Sequence, residues 1–106
     1  MKDRPSGTDA EATAAATVAR VLREEGAAVA GFAERSQACA AAAVLIHDTP
    51  GPLVVAGIGK SGHIGRKIAA TFRSLGKPAV FLHAAEASHG DLVLLQQGCA
   101  ALVLSN

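Results

Sequence analysis

The sequence predicts an α/β fold, a partial three-layer arrangement in which a parallel sheet is flanked by helices and preceded by two N-terminal helices. Three observations carry that prediction. Residues 8–47 are rich in Ala, Leu, Glu and Arg, with apolar residues at three- and four-residue steps, which is the period of an amphipathic helix. From residue 53 onward, short unbroken apolar runs recur at 53–56, 79–82 and 100–104, the texture of strands buried on both faces. A helical period separates the first two runs, so the order is strand, helix, strand, connection, strand. That order implies right-handed crossovers and a parallel sheet.

The elements follow in order. Residues 1–7 are polar and read as a disordered tail, with no apolar stretch of the kind a signal peptide carries. Thr8-Asp9-Ala10-Glu11 has the spacing of a capping box, which predicts a helix start at Thr8. Val18, Val21, Leu22, Val29 and Phe32 form its apolar stripe, and Gly26 and Gly31 bend or divide it. Ser36 caps a second helix that reaches His47, where the imidazole meets the helix dipole. Asp48-Thr49-Pro50-Gly51-Pro52 stops this helix, because prolines cannot continue it. Residues 53–56 form the first strand, 57–62 a glycine-rich turn, and 62–75 a helix with Ile64, Ile68, Phe72 and Leu75 on one face. Gly76-Lys77-Pro78 ends the helix, 79–82 is the second strand, 83–97 a mixed connection, and 100–104 the third strand.

Composition narrows the function classes. The chain has 106 residues, so 8–106 holds one domain at most, and a small one, expected to be incomplete. Half of the residues are hydrophobic and only 3% aromatic, which makes the expected helix packing close and Ala-rich. A net charge of +1 supplies no basic footprint for nucleic acid or for an anionic membrane surface. The apolar runs fall short of the ~20 residues of a membrane span, so no membrane partner is expected. Cys39 and Cys99 form no CxxC pair and read as small buried apolar residues in a reducing, cytoplasmic setting.

Two segments carry chemistry. Gly57-Ile58-Gly59-Lys60-Ser61-Gly62 lies between a strand and a helix. Glycines allow a ligand close to the backbone, and the helix start offers free amides and partial positive charge. Lys60 adds a full charge and Ser61 a hydroxyl, so Gly59, Lys60, Ser61 and Gly62 are the candidate phosphate-binding set. The spacing Gly57-x-Gly59-x-x-Gly62 also fits a dinucleotide fingerprint, but the second strand ends Phe81-Leu82-His83 without the acid such a site requires. A Walker loop needs glycine where Val54 stands. The second segment, His83-Ala84-Ala85-Glu86-Ala87-Ser88-His89-Gly90-Asp91, places two imidazoles and two carboxylates beyond a strand end, where they can move protons or bind metal.

Residues 57–72 and 81–92 together closely resemble the sugar isomerase (SIS) domain of D-arabinose 5-phosphate isomerases of the KpsF/GutQ type, and the likeness runs over about residues 10–106. The resemblance implies an aldose–ketose isomerisation of D-ribulose 5-phosphate to D-arabinose 5-phosphate in Kdo and lipopolysaccharide synthesis. It implies that Lys60 is catalytic. It further implies substrate contacts at Gly59, Lys60, Ser61, Gly62, Gly76, Lys77, His83, His89 and Ser105, with His83 a candidate zinc ligand and no cofactor required. A pentose phosphate is the expected partner, in a homo-oligomer with the site at a subunit interface. Three residues depart from the family pattern: Ala84-Ala85 stands in place of Pro-Gly, and Val93 in place of Gly. The family's next loop, Ser-Asn-Ser-Gly-Glu, would begin at Ser105-Asn106 and be cut off, and the paired CBS module would be absent. The resemblance therefore leads to the expectation that this short chain is inactive. Alternatives are a non-catalytic sugar-phosphate-binding module, a dinucleotide-binding half-domain and an Ala-rich oligomerisation unit.

Overall fold

A computed structural model of the chain describes residues 6–86 and 95–105. Helix α1 (Gly7–Gly31) is capped by Ser6, whose Oγ accepts the Asp9 amide at 3.3 Å. The expected cap at Thr8 is corrected: the hydroxyl two residues earlier does this work, and Gly7 is already helical. Gly26 stays inside α1. At Gly31 the chain tightens into a 3₁₀ turn (Phe32–Arg35) and continues as α2 (Ser36–Asp48). Ser36 is therefore not a cap; its own backbone is helical.

The chain divides into two compact units, Met1–Cys39 and Ala40–Asn106. Within the first, no described residue of α1 is buried. Its stripe faces solvent, with Leu22 64% and Val29 74% exposed. Cys39 is exposed too, against the expectation of a buried thiol, while Cys99 is partly buried; both are free. The helical stretch Gly7–Asp48 is long and apolar enough to cross a membrane by length and composition. The core helices of water-soluble proteins pass the same test.

The second unit holds the sheet. Strands β1 (Leu53–Gly57), β2 (Ala79–His83) and β3 (Ala100–Val103) run parallel in the order β2-β1-β3. Central β1 is the most deeply buried, with Leu53, Val54 and Val55 at 0% exposure, each worth about 1.5–3 kcal/mol of transfer free energy. Leu53 and Val55 join Ala69, Ala79 and Ala100 in the core, with Ile46, Ile68, Phe72 and Phe81 packed against them.

Helix α3 (Gly59–Ser74) covers one face of β1 and β2 and begins three residues earlier than the sequence reading. Its buried residues are Gly62, Gly65 and Ala69, whereas Ile64 and Leu75 are exposed. The helix lies so near the sheet that larger groups do not fit. A Cβ on Gly65 would stand 2.9 Å from Phe81 Cε2, and one on Gly57 would stand 2.9 Å from the Ser61 carbonyl carbon. These glycines lower helix or strand propensity in exchange for close strand–helix contact. Gly76, at φ 91°, turns the chain out of α3 toward β2.

Candidate functional site

The parallel strands point their carboxyl ends one way. Gly57 closes β1, and its register partner His83 closes β2 on the other side of the ladder. In open α/β sheets ligands bind at this end. Ile58 precedes α3 in an extended conformation, and its hydrocarbon side chain makes no cap. The Gly62 amide donates to the Ile58 carbonyl at 3.2 Å. The amides before it belong to the first turn, which has no intrahelical partners. Gly59 adopts φ 59° with open space where a Cβ would go, so its requirement is conformational.

Lys60 and Ser61 therefore sit within the first helical turn and not in a preceding loop. Together with Ile58, Ala84 and Ser105 they line an open hollow of about 540 Å³. A second hollow, of about 240 Å³, is lined by Gly59, Gly62, His63, Arg66 and His83. The two hollows divide the glycine-rich segment between them. Among the described residues no carboxylate lines either. The first turn of α3 contains no acidic residue, and Lys60 stands in it. Cations at a helix N-terminus oppose the helix dipole. A bound anion reverses that sign, since dipole, amides and side chains then act together.

The structure thus brings Gly59, Lys60, Ser61, Gly62, His83 and Ser105 to one end of the sheet. Gly62 has a packing role as well: a Cβ there would meet the Gly57 carbonyl oxygen at 3.2 Å. Gly76 and Lys77 are not brought to that end. They lie before β2, at the amino end of the sheet, where Lys77 Nζ donates to the carbonyls of Thr49 at 2.7 Å and Gly51 at 3.2 Å. The ammonium is held there by backbone oxygens. His89 and Asp91 lie outside the described residues. His47 lies in the last turn of α2, where its Nδ1 stands 3.0 Å from Asp48 Oδ1.

His83 Nδ1 is buried and has no hydrogen-bond partner among the described residues. Among the described residues it is the feature that invites a metal. Yet no three His, Cys, Asp or Glu side chains converge among the described residues, and zinc sites in proteins use at least three. The described residues do not by themselves build a zinc site. Sequence reading missed Arg66, whose guanidinium lies 4.3 Å from the Phe81 ring centroid. Its signal was its position six residues after Lys60, in a helix whose opening turns lack acids.

Parallel strand ends gathered around a helix start that no side chain caps define an α/β protein with the sheet-end geometry at which such folds bind ligands. More narrowly, the chain belongs to the SIS domain family, whose model matches residues 45–106. Arabinose 5-phosphate isomerase GutQ of Salmonella typhi is 54% identical over 65 residues, covering 61% of this chain and 20% of that protein. The structure is also similar to a putative phosphosugar isomerase involved in capsule formation from Bacteroides fragilis. That likeness has a TM-score of 0.69 at 40% identity and covers 85% of this chain and 48% of the other. An Escherichia coli CFT073 protein solved in complex with A5P matches with a TM-score of 0.57 and 42% identity, over 61% of this chain and 36% of that one. The matched region is a fifth of GutQ's length.

Proposed function

We propose that this chain binds a pentose phosphate at the carboxyl end of its sheet and supplies part of the site of a D-arabinose 5-phosphate isomerase. The observation that carries this reading is the first turn of α3, where amides that no side chain caps among the described residues, Lys60 and Ser61 meet at a hollow ringed by strand ends. The named relatives support the ligand class. In this reading the phosphate takes the amides, Ser61 Oγ and Lys60 Nζ, and Ser105 borders the same hollow.

The isomerisation moves hydrogen between C1 and C2. A base removes a C1 proton from the ketose while O2 gains a proton, giving an enediol. The proton returned to C2, with loss of one from O1, gives the aldose. Lys60 would offset negative charge developing on the enediol oxygens. Such a role suits a cation at a helix start, and His83 and His89 are its polar neighbours in the proposal. The expected setting is cytoplasmic, in Kdo and lipopolysaccharide synthesis, with copies of the chain meeting at the site.

The absence of a carboxylate from both hollows among the described residues favours a second reading, a sugar-phosphate-binding module without turnover. Calorimetry with arabinose 5-phosphate, together with an assay of ribulose 5-phosphate conversion, separates the two. Binding that Lys60→Ala weakens by about tenfold, the size of a lost charge-assisted hydrogen bond, supports the shared site. Conversion by wild type selects the isomerase, and binding without conversion selects the module. No heat from a folded wild-type chain rejects both.

A further inference from the structure

We infer that Arg66 is a positioning residue which, through Phe81, sets the orientation of the His83 imidazole toward a bound phosphosugar. The role in ligand binding rests on the phosphosugar reading above; the link from Arg66 to His83 does not. Arg66 lies in the second turn of α3 and pairs with no carboxylate among the described residues. Its guanidinium instead lies over the face of Phe81, 4.3 Å from the centroid, well inside the range of cation–π attraction.

Phe81 has little freedom to move away. Gly65 comes so close to the ring edge that even a Cβ would stand 2.9 Å from Cε2. Two residues further along β2, on the same side of the strand, His83 meets Phe81 edge to face, with centroids 6.5 Å apart and planes at 75°. An imidazole in a site is ordinarily fixed by a hydrogen bond at the nitrogen turned away from the ligand. His83 Nδ1 is buried without such a bond among the described residues. The contact with Phe81 takes over that duty, and Arg66 holds Phe81. Arg66, His63 and His83 line the same hollow, so the stack ends where a ligand enters.

The test compares wild type with Arg66→Met, which keeps the aliphatic stem, and Arg66→Lys, which keeps the charge without the planar group. Proton–carbon NMR of the imidazoles, with His83 assigned through His83→Gln, reads the ring's position. Calorimetry reads affinity for arabinose 5-phosphate and for inorganic phosphate. Arg66→Met should move the His83 ring signals and weaken arabinose 5-phosphate by about two- to fivefold, the scale of an exposed cation–π contact. Inorganic phosphate should bind as in wild type, and Arg66→Lys should fall between the two. Unmoved His83 signals in a folded Arg66→Met overturn the positioning role. So does an equal loss for both ligands, which would make Arg66 a general attractor of anions. If wild type binds neither ligand, the phosphosugar reading fails, and the His83 signals alone decide whether Arg66 sets that ring.

Discussion

Lys77 reaches the carbonyl oxygen of Thr49, 28 residues earlier in the chain, at 2.7 Å. This contact joins the turn after α3 to the turn after α2, at the amino end of the sheet, and a second bond to Gly51 at 3.2 Å completes it. Hydrogen bonds from charged groups are worth about 1.5–3 kcal/mol, and both acceptors are otherwise loop carbonyls. Lys77→Ala should therefore lower unfolding free energy by about 1–3 kcal/mol, read by urea denaturation. Its affinity for arabinose 5-phosphate should match wild type. A stable variant with weakened binding would return Lys77 to the ligand.

Lys60 is expected to behave the opposite way. It stands at the start of α3, where its charge opposes the dipole and the first turn holds no acid. Lys60→Ala should leave stability unchanged or raise it by about 0.3–1 kcal/mol at low salt while weakening ligand binding. Thermal denaturation with and without 0.5 M salt, at roughly three times physiological ionic strength, checks the electrostatic origin, because the gain should shrink as salt screens it. A clear loss of stability would mean that Lys60 is part of the packing.

The contrast between these lysines shows what could be read from the sequence. Apolar runs and glycine–proline breaks were enough for the strands, since burial on both faces needs only unbroken hydrophobic residues. The gathering of Lys60, Ser61 and the glycines at one helix start was legible because these residues are adjacent in the chain. Lys77 was not, because its acceptors are backbone carbonyls 26 and 28 residues away and a carbonyl has no sequence signature. On α3, Ile68 and Phe72 pack against the core as their period implies, and the ends of the stripe differ for a related reason. Periodicity favours the bulky Ile64 and Leu75, but the close approach to β1 selects Gly62, Gly65 and Ala69. Arg66 likewise shows its partner, Phe81, only once the helix lies on the strand.

Gly57 and Gly65 separate two kinds of close contact. A Cβ at Gly57 meets backbone, with Gly62 N at 3.0 Å besides the Ser61 carbonyl carbon, and backbone cannot move aside without shifting α3. Gly57→Ala should be the more damaging substitution, with a loss above the 1–3 kcal/mol that overpacking typically costs. At Gly65 the obstacle is the Phe81 ring, and alanine regains about 1 kcal/mol of helix propensity. Gly65→Ala should therefore cost less than Gly57→Ala. Denaturation midpoints of the two variants, measured side by side, test the order.

Gly59 differs from both, because nothing stands within 4 Å of its missing Cβ and only its φ of 59° requires glycine. An L-residue pays roughly 1–2 kcal/mol in the left-handed region, and Asn, whose side chain bonds locally, pays less. Gly59→Ala should lower stability by about 1 kcal/mol, and Gly59→Asn by less. If the turn also aims the first amides of α3 at a phosphate, relaxing it tilts those amides, and affinity for inorganic phosphate falls in the same order. Calorimetry with phosphate on both folded variants decides this. Loss of stability with affinity intact would confine Gly59 to shaping the chain, and the phosphate would then be held by Lys60 and Ser61 side chains without the amides.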